Sequence, residues 1–150
     1  MFILVLLILF MTNIGLEIQK TIIQSAKNIE FLTENNIDIF ASVPNRIKLP
    51  YIKIAGISMD KIQPKCNIKS FTIDLFIATN SKDNRKILDI TEALYNNLPC
   101  EMLNYATHCN NITLYNIYNI NYSIKEDLQN ACWCGHFYID IDILDKKINM

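Results

Sequence analysis

From Gly15 to about Leu32, Ile18, Ile22, Ala26 and Ile29 recur at spacings of four, four and three, with Lys20, Gln24 and Lys27 between them. An apolar stripe at that period turns one side of a helix toward a core, so the spacing predicts a first helix. Asn35 and Asn36 end it, and the stretch from Ala41 to Arg46, with Pro44 and Asn45, reads as an irregular connection. Pro50 precedes Tyr51 to Ala55, where Ile52 and Ile54 alternate with Tyr51, Lys53 and Ala55. Proline is tolerated at a strand start, and this is strand one. Gly56 to Asn67 carries Ser58, Asp60, Gln63, Pro64 and Lys65, a polar, proline-marked run that predicts an extended, exposed loop.

Ile68 to Thr79 alternates strictly, with Phe71, Ile73, Leu75 and Ile77 on one face and Ser70, Thr72, Asp74, Phe76 and Ala78 on the other, which predicts strand two. Ser81 and Asp83 supply the oxygen and early negative charge of a helix start, and Ile87, Ile90, Leu94 and Leu98 follow at helical spacing. Pro99 is expected to end this second helix. Ile112, Leu114, Tyr118, Ile120, Tyr122 and Ile124 share a period-two face broken at Asn116, a long strand three. After a polar turn from Lys125 to Asn130, Trp133, Phe137, Ile139, Ile141 and Ile143 oppose Cys134, His136, Tyr138, Asp140 and Asp142 in strand four. The expected architecture is an α+β domain in the order α-β-β-α-β-β, a four-stranded, mainly antiparallel sheet with two helices on one face. Its second sheet face would mix Phe76, Tyr115, Ile117 and Tyr138 with Asp74, Asp140 and Asp142. That mixture fits a partner surface and fits scattered exposed apolar residues equally well.

Composition sets the outer limits. A chain of 150 residues, 51% hydrophobic and 19% charged, is the size of one domain with its own core. A formal net charge of -1, with lysines scattered at Lys20, Lys27, Lys48, Lys53, Lys61 and Lys65, offers no broad basic surface, so direct nucleic-acid binding is not expected. Residues 1–10 form an apolar extension; ten residues at about 1.5 Å rise reach roughly half of a ~30 Å hydrocarbon core and cannot span it. There is no Lys or Arg before Lys20, as a signal peptide would want. Three readings remain for the extension: a mis-assigned start with translation beginning at Met11, a signal or anchor, and a buried strand or helix. The domain is taken as 11–150. Five cysteines, an odd number, fit free thiols in a reducing compartment. Asn111-Ile112-Thr113 and Asn121-Tyr122-Ser123 match the glycosylation sequon, which matters only for an exported chain.

Few residues form a pattern that carries chemistry. Cys132, Cys134 and His136 alternate on one strand side, with His108 and Cys109 as further zinc donors, but Cys132-Trp133-Cys134 is tighter than the usual zinc knuckle. They are weak candidates only, and no metal is expected. A cysteine nucleophile with a histidine base can be drawn from the same residues, yet nothing around them fixes an oxyanion hole or an orienting group. Gly15, Gly56 and Gly135 form no glycine-rich phosphate loop. Asp140 and Asp142 share a strand face and could approach a proton or a cation, although exposed alternating acids usually serve solubility. No catalytic residue and no cofactor are expected.

Several phrases in order resemble the bacteriophage tail-completion family, also described as tail terminators or tail-to-head joining proteins. They are Glu17-Ile18-Gln19-Lys20, Ser42-Val43-Pro44, Leu49-Pro50-Tyr51-Ile52, the alternating Phe71 to Ile77, Ile90-Thr91-Glu92-Ala93-Leu94, and Gly135-His136-Phe137. The resemblance covers Gly15 to Leu144 and implies a non-enzymatic structural role in phage or prophage virion assembly. Subunits would form a homo-oligomeric ring, such as a hexamer, that caps the tail tube protein and meets the head-tail connector protein. It implies a place in the virion tail after assembly in the bacterial cytoplasm, without a membrane. The Gly56 to Asn67 loop and the mixed sheet face would make the ring contacts, which must be heterologous to close. The Cys132 and Cys134 pair departs from the family pattern. An exported or membrane-tethered adaptor and a small zinc-binding module are the alternatives.

Overall fold

The computed structural model describes residues 13–63, 68–107 and 112–145. The apolar extension at 1–10, His108, Cys109 and the Asn111 sequon position lie outside them. The first helix of the described chain, α1, is Ile14–Lys27. The Asn13 side chain caps it by accepting from the Leu16 N–H at 3.1 Å, and Glu17 in the first turn and Lys27 in the last suit the helix dipole. The helix expected to run on to Leu32 breaks at Asn28, and a short second helix, α2, spans Glu30–Glu34. The Thr33 hydroxyl donates to the Lys27 carbonyl at 3.2 Å, which satisfies an acceptor exposed by the break. The stripe survives because Ile18, Ile22, Ala26, Ile29 and Leu32 are all buried.

A short strand β1, Asp38–Phe40, follows and pairs in parallel with β2, Tyr51–Gln63. β2 therefore continues through most of the segment expected as a loop. Two register shifts against the next strand, at Ala55 and Asp60, explain the misreading: each extra residue interrupts the alternation without ending the pairing. β3, Ile68–Ala78, buries Phe71, Ile73, Leu75 and Ile77 as expected. Helix α3, Arg85–Thr107, opens where the Asp83 carboxylate accepts the Arg85 N–H at 3.0 Å. It does not stop at Pro99, because Met102 and Ala106 extend the buried stripe of Ile87, Ile90, Leu94 and Leu98. Among the described residues no helix is long and apolar enough to cross a membrane.

β4, Ile112–Asp127, and β5, Cys132–Asp145, complete a curled sheet of five described strands in the order β1-β2-β3-β5-β4. All neighbours except β1 and β2 are antiparallel. The fold is mixed α+β, but the four-stranded sheet with two helices is overturned by the fifth strand and the third helix. β1 is too short for periodicity to register it. The apolar faces of β2, β3 and β5 meet α1 and α3 in one core built on Ile52, Ile73, Leu75, Ile77, Phe137 and Ile139. β4 carries register shifts at Tyr115 and Tyr118, which correct its expected facing: Leu114, Ile117, Ile120 and Ile124 pack against the core, whereas Tyr118 is 50% exposed. Ile117 is thus on the helix side of the sheet, not on the mixed face.

Candidate interaction surface

The sheet face turned away from the core cluster is ordered by the pairing of β3 with β5. Ser70, Thr72, Asp74, Phe76 and Ala78 stand opposite Asp142, Asp140, Tyr138, His136 and Cys134. Small hydroxyl side chains on β3 meet carboxylates on β5, and cross-strand neighbours at that distance can bond directly. Ser70 donates to Asp142 Oδ1 at 2.5 Å. The Thr72 hydroxyl lies 2.6 Å from Asp140 Oδ1 and 2.5 Å from Asp60 Oδ2, so its single proton serves two acceptors. Asn119 of β4 donates to Asp140 Oδ2 at 3.0 Å. Asp60 reaches this ladder because it is the bulged residue of β2.

Toward the other end the face turns aromatic. His136 Nδ1 is 2.7 Å from Asp74 Oδ1. Its ring meets Phe76 edge-on at 5.2 Å and stacks on Tyr138 at 5.8 Å. The Lys53 ammonium lies 5.4 Å from the Phe76 centroid. These side chains are half-buried and in contact with one another. Burial first, then the carboxylates of Asp140, Asp142 and Asp60, push the Tyr118 phenol up, while its hydrogen bond with Ser70 acts the other way. Tyr118 therefore remains a neutral phenol beside the acidic ladder.

The candidates for chemistry are placed as follows. Cys132, Cys134 and His136 share one side of β5, facing Asp127, Lys125 and Ser123 of β4. Burial raises the Cys132 thiol, and Asp127 and Cys134 raise it further, which disfavours the thiolate that a nucleophile requires. His136 directs Nδ1 at Asp74, and Asp140 and Asp142 are occupied by Thr72, Asn119 and Ser70. Among the described residues no group of three or more His, Cys, Asp or Glu side chains is placed to hold a metal ion. The sequence missed Asp60, Tyr118, Lys53 and Asn119 as members of this face. Bulges placed the first two there, and only strand order brings in the others. The chain matches no protein-family model, and a search of curated proteins gives no match either.

Proposed function

We propose that this chain is a non-enzymatic phage or prophage tail-completion subunit, which assembles with copies of itself into a ring that caps the tail tube and joins it to the head connector. The observation that carries this reading is the sheet face turned away from the core cluster: a pre-ordered ladder of buried Ser70 and half-buried Thr72, Asp140 and Asp142 running into the half-buried Lys53, Phe76, His136 and Tyr138 cluster. Side chains already held by mutual contacts lose little further entropy on association, and a half-buried aromatic cluster beside a polar rim is the composition of a protein contact. The resemblance in segment order from Gly15 to Leu144 supplies the biological setting. Of the Gly56 to Asn67 segment also assigned to ring contacts, Gly56 to Gln63 is paired strand rather than loop, and residues 64–67 lie outside the described residues.

Native mass spectrometry of the full chain tests the reading. A closed oligomer of fixed subunit number is expected. A strict monomer at every concentration would remove the self-assembling ring.

A further inference from the structure

The core face of the sheet loses its cover along β2. Exposure on that face rises from 0% at Ile52 and 9% at Ile54, through half-buried Ile57, to 52% at Met59. Met59 is not turned away from the core. It stands opposite buried Phe71 of β3, as Ile57 stands opposite Ile73, and directly opposed side chains share a face. Met59 therefore continues the apolar row and lacks only a layer above it. A depression of about 550 Å³ lies there, lined by Asn13 and Leu16 from the start of α1 and by Ile57, Met59 and Phe71 from the sheet. Leu16 is 53% exposed on its side, and no charged side chain lines the depression. Two large apolar side chains left half in water around one concavity favour an apolar occupant.

The chain that leads into this site has the matching chemistry. Residues 1–12 lie outside the described residues and join them at Asn13, which itself lines the depression. Every residue from Met1 to Met11 is apolar, Thr12 is uncharged, and the first charged side chain is Glu17. Reach suffices. From Ile54 to Met59 the strand advances about 17 Å at ~3.3 Å per residue. Residues 1–12 measure about 18 Å even at the ~1.5 Å rise of a helix. A tethered segment also meets the site at an effective concentration on the order of millimolar, which a separate copy or partner must exceed.

We infer that residues 1–12 seat in this depression and complete the cover of the core face over Met59. Leu16 and Met59 are then interior side chains of the full chain, and the apolar extension belongs to the core rather than to a membrane or a leader. The cover acts within one chain and needs no second copy.

Oxidation by dilute hydrogen peroxide, read by peptide mass spectrometry on the full chain, tests it, because methionine oxidation follows access to the sulfur. Three full-length proteins are compared. Beside the wild type stand Leu6→Asp with Ile8→Asp, which charges the segment, and Leu16→Asp, which charges the depression. An acid at position 16, in the first turn of α1, suits the helix dipole, so the helix is kept. Met59 should be oxidised at least about tenfold faster in each variant than in the wild type, the equivalent of exposing one buried leucine. Met102, 0% exposed on α3, should stay slow in all three and reports an intact core. Met59 oxidised at one common rate in the three proteins overturns the docking. Protection of wild-type Met59 that fades on dilution overturns it as well, because a second copy would then be the cover.

Discussion

Gly135 is the glycine with least room for a side chain. It stands on β5 between Ile77 of β3 and Ile124 of β4, and a Cβ there would lie 2.8 Å from the Ser123 carbonyl oxygen, 2.9 Å from Ile124 Cγ2 and 3.2 Å from Ile87 Cδ1. The nearest atom is backbone of a paired strand, so relief requires the strands to shift rather than a side chain to rotate. Gly135→Ala should cost about 1–3 kcal/mol, seen as a lower urea midpoint with an unchanged slope. An unchanged midpoint would mean that β4 yields freely. Asp127 offers a second test at this scale. The Asn130 side-chain bond, then the Asn130 and Gln129 amides and Lys125, hold its carboxyl below the usual range against the opposing effect of burial. A depressed carboxyl stabilises the turn above the unfolded value of about 3.9 and loses that contribution as pH falls through the folded one. In an NMR titration the Gln129 and Asn130 amide shifts should move together with a midpoint below that of an ordinary aspartate. A midpoint at the ordinary value would leave the turn without this anchor.

At the scale of elements, Pro99 shows how a local rule loses to packing. It has no N–H to give the Tyr95 carbonyl, yet α3 continues because Leu98, Met102 and Ala106 are buried along one stripe. Pro99→Ala should restore the missing hydrogen bond and stabilise the protein by about 1–3 kcal/mol, measured as a raised thermal midpoint. No gain would indicate that Pro99 fills space that alanine leaves empty. The same competition decides what the sequence makes legible. β3 could be read from Phe71 to Ile77 because its register is unbroken, and α3 from Ile87 to Leu98 because its stripe is regular. β4 could be read as a strand but not oriented, since the bulges at Tyr115 and Tyr118 change which side chains face the core. β2 beyond Ala55 looked like a loop for the same reason, and the three residues of β1 complete less than two cycles of the strand period, too few to show an alternation. Phe76, Tyr138 and the acids opposite the core were legible from alternation, whereas their partners Asp60, Asn119 and Lys53 depend on strand order.

Over the whole molecule, α1 and α3 cover one side of the sheet, and the other side carries its aromatic cluster into the depression below Leu128. Serine is the informative replacement for the aromatics. Aspartate at position 138 would stand directly across from Asp74, and like charges in that position would destabilise the sheet itself. Phe76→Ser with Tyr138→Ser should together cost about 2–4 kcal/mol in stability, because both side chains are half-buried and pack on His136, and should abolish the proposed closed oligomer. Tyr122→Ser supplies the control: Tyr122 is 48% exposed and stacks on core residue Phe137 at 6.5 Å, on the helix side of the sheet. It removes one exposed aromatic side chain from the other side of the sheet and should leave the subunit count as it is. If native mass spectrometry finds the Phe76 and Tyr138 double variant as fully assembled as Tyr122→Ser, the sheet face opposite the core has no part in self-assembly, and the proposed ring would need contacts elsewhere on the subunit.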